Sequence, residues 1–499
     1  MTSPIPARRD HTVCAVDVGT TAVRAAIIHP DGRIGTSARR ERPSDLASIA
    51  FDPDQLWADV CAVLSDVTAY PNARHLVGVG VTAHVGAVMV DIQGQPVWEG
   101  LGWADTHGTD LLASAWASIP HALPTVGRPA VTGGGLAAAA WLHDLQPRAY
   151  REVRWLLSPK DWLVSRMTGA FVTDITSAAY TLALNVRQVK WASELCRAAG
   201  IDPEILPPIH PADNVVGTVT EEASMTTGLP AGLPVISGGP DGTVGMAALA
   251  HRDEPSILNI AGTTDVVVRA TAGPPSTPPP SAIINPYLTE GHYSCGGPTG
   301  MTGGAVPFLA SLFKIGQISE DLAAKMDALA PGCDGLRVIP TFTGARFPRW
   351  LPGELGAITG LSTSHSAAHI LRASQEGAAH VVRECADLLA RNAETTTALP
   401  VILAGGVARS ASLTQLRADV LGRTVFACPE PEVGLLGAAI LTASGCGLYP
   451  RLEAAQAAMS PKLYKVLPDP YRARHYAELH SNWLTARDAA CIQSDRAVP

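Results

Sequence analysis

The sequence predicts an α/β protein of two domains with a ligand cleft between them, and three observations carry that prediction. At 499 residues the chain exceeds what one hydrophobic core organises. A strand, Gly-Thr-Thr, strand pattern near the start, "CAVDVGTTAVRAAII", returns 243 residues later, close to half the chain, as "SILNIAGTTDVVVRA". Strand-like and helical apolar runs are joined by glycine turns, as in "GLPVISGGPDGTVGMAALA".

The elements follow in order. Cys14 to Gly35 reads as a hairpin with Asp17 inside its first strand and Arg24 inside its second. "FDPDQLWADVCAVLSDV" has helical spacing at Leu56, Val60, Val63 and Leu64, and "LVGVGVTAHVGAVMVDIQGQPV" gives two more strands. "SPKDWLVSRMTG" and "KWASELCRAAGI" read as helices closed by Gly169 and Gly200. After the second hairpin, "TAGPPSTPPPSAIINP" cannot hold a helix and reads as a surface loop. "HSAAHILRASQEGAAHVVRECADLLARN" is a long amphipathic helix with Ile370, Leu371, Val381, Val382, Leu388 and Leu389 on about one face. "VILAGGVARSASLTQLRADVLG" is strand, turn and helix, and "EVGLLGAAILTASG" a final helix whose Gly437-Ala438-Ala439 permits close packing. The expected domains are 1–247 and 248–447, with a helical tail over 448–499.

Composition narrows the partners. Apolar residues at 46% and charged ones at 16% describe an ordinary globular chain. A net charge of -8, with no basic cluster beyond short "ARR" stretches ending at Arg9 and Arg40, argues against nucleic acid. The apolar run ending at Val90 is polar at Thr82 and His84, so no membrane span is expected. "MTSPIPARRDHT" lacks a secretion-type apolar segment, which points to the cytoplasm. Nine cysteines without a C-x-x-C pair read as reduced thiols, supporting neither a disulfide framework nor zinc. The expected ligands are small molecules.

The two turns suit phosphate. Glycine lets backbone approach an anion, and the hydroxyls of Thr20, Thr21, Thr263 and Thr264 stand beside the freed amides of Gly19 and Gly262. Asp17 could then face the phosphates through Mg²⁺ and its waters, and Arg24 could pair with a phosphate oxygen. A plain hairpin, with Asp17 capping the turn and Arg24 reaching outward, is the commoner reading of either turn alone. Asp241, in "SGGPDGTVG", sits where a strand gives way to a helix and can accept a proton from an alcohol, although capping is the usual employment of such an aspartate. "AGGVARSAS" offers Gly405, Gly406 and Arg409 as a flat surface for adenine or ribose, or as an ordinary turn. "WADTHGTD" puts Trp103, Asp105 and His107 in a loop that could grip sugar hydroxyls, or simply face solvent. "GVGVTA" lacks the helix a dinucleotide motif requires, and His365 and His369 lack a third ligand.

Taken in order, these pieces resemble the FGGY family of carbohydrate kinases within the actin-like ATPase (ribonuclease H-like) superfamily. "DVGTTAVR" is similar to the first phosphate motif, "WADTH" to the W-x-D-x-R loop, "DWLVSRMTGAFVTDITSAA" to the L-T-G-x-x-x-T-D segment and "GGPDGTVG" to the catalytic loop. "AGTTDVV" resembles the second phosphate motif, "EGAAHVVR" the long-helix signature, and "LAGGVARSASLTQLRADVLG" with "GLLGAAIL" the adenosine region. The resemblance covers about Val13 to Tyr476, and its strength lies in seven collinear motifs. It implies two actin-like domains, ATP and Mg²⁺ as cofactors, a small sugar or polyol as substrate, and homodimers as the family's occasional state. Asp17 would sit by the magnesium. Gly19, Thr20, Thr21, Arg24, Gly262, Thr263, Thr264, Gly405, Gly406 and Arg409 would bind ATP, Asp241 would be the general base, and His84, Trp103 and Asp105 would join it in binding substrate.

Several positions depart from the family pattern. Xylulose kinases would carry a glutamine where His84 stands and a Met-His pair at Val85-Gly86; glycerol kinases have Arg-Glu there. His107 replaces an arginine, and Ala345 replaces the glutamate before Arg346. Gly86 predicts a roomier pocket or a different ligand end. A xylulose kinase-like enzyme is the leading expectation, with another ketose, a tetritol or a sugar acid as alternative substrates. A non-catalytic sugar- or ATP-binding regulator should have lost Asp241 or the turns, and this chain retains them.

Overall fold

The computed structural model describes residues 11–42, 49–249, 255–391 and 398–495; Arg9 lies outside them. Two seven-stranded sheets organise the chain. In the first, the order is Val215–Thr218, Pro234–Ile236, Leu76–Ala83, Thr12–Val18, Ala22–Ile28, Ile34–Glu41, with Gly239–Pro240 also paired to Leu76–Ala83. In the second it is Ile283–Pro286, His292–Pro298, Asp265–Ala272, Ile257–Ala261, Val401–Gly405, Val425–Ala427, Tyr464–Val466.

The duplication read from the sequence is therefore architectural. In each sheet the strand entering the Gly-Thr-Thr turn has its antiparallel return on one side and a parallel strand on the other. That parallel strand delivers further residues to the edge where the turn sits. In doubly covered α/β sheets ligands collect at the carboxyl ends of such strands.

Both faces of the first sheet are buried, which explains its near-continuous apolar strands. Val16, Val23 and Ile27 pack with Leu56, Val60 and Leu64 of helix Pro53–Thr68 and with Trp162 of helix Pro159–Thr168. That second helix starts on a capping box, Ser158 with Asp161, and stops at Gly169 in the left-handed conformation. On the opposite face Val13, Ala15, Ala26 and Ile28 meet Leu436, Ala439 and Ile440 of helix Val433–Gly445. The second sheet is covered by helices Ala367–Arg391 and Ala411–Leu421.

Four sequence expectations change. Helix Ser193–Ala198 is shorter than expected, because Lys190–Trp191 is extended and pairs with Leu184–Asn185. The proline-rich segment leads into an edge strand, Ile283–Pro286, with Ala282 buried. Helix Val433–Gly445, expected to close the second domain, packs on the first sheet, with a Cβ at Gly437 falling 1.9 Å from the Val244 carbonyl. Residues beyond 447 are no separate tail: Tyr464–Val466 completes the second sheet, Tyr476 and Trp483 of helix Pro470–Asp495 enter its core, and Ala455 and Met459 of helix Leu452–Met459 enter the first. Side-chain periodicity fixes which face is apolar but not which sheet receives it.

Candidate active site

The first hairpin places Asp17 directly opposite Arg24, and the carboxylate meets the guanidinium at 3.4 Å. Arg24 also reaches Glu432, at 3.5 Å, just before helix Val433–Gly445. Asp17 lies against that helix's first turn, where a Cβ at Gly434 would stand 3.0 Å from its carboxyl carbon. Burial pushes the Asp17 carboxyl up to about 7, and the charge of Asp241 pushes the same way, against Arg24. Asp241 and Glu432 thus both act on Asp17, with Arg24 as the near cation. A hydrated Mg²⁺ fits this imbalance, since that ion takes one or two carboxylates and keeps waters. Among the described residues no cluster of three or more metal-ligating side chains occurs, so any such ion would be completed by ligand oxygens.

Asp241 opens helix Asp241–Ala247, at the end of a strand whose Gly239 and Pro240 pair with Thr82 and Ala83. The parallel strand Thr12–Val18 lies on the other side of Leu76–Ala83, so Asp17 and Asp241 come to one sheet edge. The turn is possible because Gly238 has φ +71°, with no room for a Cβ 2.0 Å from the Val81 carbonyl. Beneath it, the buried Lys160 ammonium donates to the Ser237 carbonyl at 2.7 Å and pairs with Asp161 and, at 3.1 Å, with Asp174. Asp174 in turn caps helix Ile175–Tyr180, accepting from the amides of Thr176 and Ser177. One buried ionic cluster therefore fixes both the Asp241 loop and the helix that ends at Tyr180. Burial pushes the Asp241 carboxyl up, partly offset by a hydrogen bond from the Gly242 amide at 2.6 Å.

The second hairpin brings Gly262, Thr263 and Thr264 beside Gly405 and Gly406, because Ala261 pairs with Gly405 in parallel register. Gly405 has φ +90°, and a Cβ there would stand 2.3 Å from the Ala261 carbonyl. Arg409 ends the short 3-10 turn Gly406–Arg409 and is exposed. Gly19 and Gly262 differ from Gly405: a Cβ on either would meet nothing closer than 3.5 Å, so the fold itself does not demand glycine there. Gly303 and Gly304, which sequence reasoning passed over, support the turn from below, with the Gly304 amide bonded to the Thr263 carbonyl at 2.9 Å. A glycine pair just before helix Ala305–Leu312 was the available signal.

Between the sheets opens a cavity of about 800 Å³ lined by residues of both halves. Trp103, Asp105 and Tyr180 line it, with Arg128, Arg346 and Arg349. Asp105 is held by His107 at 2.5 Å, and the His107 ring rests on Trp141. Tyr180 connects cavity and base: its ring carries the Arg128 guanidinium at 5.2 Å, its hydroxyl bonds Thr243 and Asn285, and it lies in the field of Asp241. Tyr180 and Arg128 were not singled out from the sequence, where the only signal is Arg128 amid "VGRPAVTGGG".

His84, expected among the substrate-binding residues, is not among the residues lining the cavity and is engaged by the protein itself. Its Nε2 accepts from Arg42 at 3.1 Å and its Nδ1 donates to the Val85 carbonyl at 3.1 Å, so both ring nitrogens are spent. Arg42 also donates to the Gly19 carbonyl, so His84 braces the first turn. Burial and Arg42 hold the imidazole neutral, down to about 4, despite the Val85 carbonyl. Gly86 does not enlarge the pocket either: a Cβ there would stand 2.5 Å from the Leu101 carbonyl, and the adjoining crevice is only about 10 Å³. The space is filled by the strand Gly100–Gly102.

Comparison with known proteins matches residues 12–248 to the N-terminal domain of the FGGY family of carbohydrate kinases and 257–446 to its C-terminal domain. Xylulose kinase of Bacillus subtilis (strain 168) is 24% identical over 88% of this chain and 89% of its own length. Glycerol kinase of Corynebacterium efficiens is 27% identical over 88% and 90%. The crystal structure of gluconate kinase from Lactobacillus acidophilus superposes with a TM-score of 0.88 at 22% identity, covering 98% of this chain and 100% of that one.

Proposed function

The chain belongs to the FGGY family of carbohydrate kinases, ATP-using enzymes, and from that premise we propose that it transfers a phosphoryl group from ATP to a hydroxyl of a small sugar or polyol held in the interdomain cavity. The observation that carries this reading is the position of Asp241. It stands at a helix start on the edge that also holds Asp17, and it acts on Tyr180, which lines the cavity.

In this reading Asp241 takes the proton of the attacking hydroxyl, and its burial raises its basicity toward that task. Trp103 and the Asp105 carboxylate, fixed by His107, orient the hydroxyl chain. The amides and hydroxyls of Gly19-Thr20-Thr21 and Gly262-Thr263-Thr264 cradle phosphates, and Gly405-Gly406 with Arg409 flank the nucleoside. Asp17 would hold Mg²⁺, and Arg24, tethered by Glu432, neutralises phosphate charge. Mg²⁺ when bound supplies further neutralisation of the phosphate oxygens. In-line transfer asks for positioning and charge neutralisation above all, which a site of glycines, threonines and paired charges provides.

Relatives named for xylulose, glycerol and gluconate show that the family resemblance leaves the acceptor open. The experiment is ADP release with Mg-ATP across ketoses, polyols and aldonic acids, with Asp241→Ala as control. Activity on one compound that vanishes in the variant, with nucleotide binding retained, supports the reading. Undiminished turnover by Asp241→Ala removes Asp241 from the base role, and tight ATP binding with no transfer to any acceptor favours a regulator.

A further inference from the structure

The charges lining the cavity do not balance. Arg349 is paired with Glu354, and Asp105, the one carboxylate among the described residues lining it, is tied to His107. Arg128 and Arg346 have no acidic partner among the described residues. Arg128 is buried, and its guanidinium meets only neutral oxygens: Asn285 Oδ1 at 2.6 Å and the carbonyls of Ala179 at 3.1 Å and Gly127 at 3.3 Å. Arg346 is half-buried, its guanidinium takes no hydrogen bond or ion pair among the described residues, and the neighbouring lining residue is the methyl side chain of Ala345. A buried guanidinium without a carboxylate is costly, because its hydration is lost and no counter-charge replaces it. Burial holds the Arg128 guanidinium down to about 10, with Tyr180 offering the opposing pull, and lowers that of Arg346 as well.

Such an arrangement asks the ligand for the missing negative charge. We propose that the acceptor is a sugar acid, whose carboxylate sits in the field of Arg128 and Arg346 while its hydroxyl chain runs past Trp103 and Asp105 toward Asp241. This inference rests on the kinase reading and deepens it by naming the substrate class. Planar, forked guanidinium groups match carboxylate oxygens in pairs, and the shielded wall strengthens each contact over its value in water. Neutral ketoses and polyols leave both arginines unanswered.

The test uses matched pairs differing only at one carbon: gluconate and glucitol, xylonate and xylitol, erythronate and erythritol. Binding to the full-length protein is measured by calorimetry, at low and high salt. At least one acid is expected to bind about 30-fold or more tightly than its alditol, since charge-assisted hydrogen bonds reach that size, with the margin shrinking as salt rises. Arg346→Gln, at a side chain without protein partners among the described residues, is expected to remove most of that margin, leave the alditol unchanged and melt as the parent does. Arg128→Lys provides a second variant that keeps the charge but loses the fork.

An acid that binds no better than its alditol in every pair overturns the proposal. Tighter binding of glucitol 6-phosphate than of any acid assigns the arginines to phosphate and overturns it too. The proposal also falls if Arg346→Gln weakens acid and alditol equally. ADP release is read separately: transfer to alditols alone sinks the acid assignment and keeps the kinase, whereas acid binding without transfer to any compound keeps the two arginines as a carboxylate site but overturns the acid as acceptor together with the kinase roles.

Discussion

The two Gly-Thr-Thr hairpins share a strand arrangement, with the second turn one residue shorter, and differ in where their charge lies. In the first, Asp17 precedes the turn, faces Arg24 across the pair and stays partly exposed, with its partner at the loose distance of 3.4 Å. The position equivalent to Asp17 in the second is Ile260, and the residue opposite it is Val266. Its acid, Asp265, follows the turn and is fully buried. Asn259 donates to it at 2.8 Å, Thr302 at 2.6 Å and Arg417 at 3.0 Å. A saturated carboxylate holds structure, while an underpaired one at a cleft is available for a cation or a phosphate. The repeated motif therefore builds two similar turns but one underpaired charged centre.

Exchanging each acid for its amide is the strongest way to break this comparison. Asp17→Asn is expected to lower kcat by about 100- to 1000-fold, the scale of losing one preorganised electrostatic contact, while melting at or above the parent's temperature because a desolvated charge has gone. Asp265→Asn is expected to do the reverse, costing about 3–5 kcal/mol of stability by stranding Arg417 and leaving kcat per folded molecule within a few-fold. Steady-state kinetics with calorimetric melting decides; equal effects on both readouts at both sites would erase the distinction.

Next in size is the pH response. His84 is held neutral down to about 4, below its unfolded value of 6.5, so its contribution to stability is present above pH 6.5 and lost as pH falls through 4. His480, Nδ1 to Nδ1 at 3.2 Å from His380, is likewise held down to about 4 in the second half. Melting temperature is expected to fall between pH 6.5 and 4, and His84→Asn to flatten that slope in part. A parallel slope in the variant would mean that His84 does not brace the first turn through Arg42.

The smallest expected effect sharpens the likeness of the two turns. Since a Cβ fits at Gly19 and at Gly262 without close contact, Gly19→Ala and Gly262→Ala should each leave stability within about 1 kcal/mol. Each is expected to raise the KM for ATP about 10-fold, because the added methyl occupies the approach to the freed amides. Variants that bind ATP as the parent does would take the turns out of the phosphate site.

Much of the candidate site's sheet edge was legible in the sequence. Asp17, Gly19 and Asp241 stood out because a charge or a glycine inside an apolar strand pattern is a local contradiction, readable from neighbours alone. Tyr180, Arg128 and Arg42 were not legible, since nothing beside them in the chain distinguishes them from surface residues. The surroundings of His84 and Gly86 were hidden for the same reason: their partners, Arg42 and the Leu101 carbonyl, belong to other strands or to the segments that join them.

The sequence by itself determined the hairpins, the helices with their caps and the duplicated order, because these depend on side-chain period, turn chemistry and bonds spanning a few residues. Only the tertiary structure decided which charges are answered. Arg128 meets Asn285 from 157 positions away, Asp265 meets Arg417 from 152, and the helix Val433–Gly445 returns to close over Asp17 in the first half. Desolvation and counter-charge are properties of a place rather than of a stretch of chain, and the place exists only once both sheets are built.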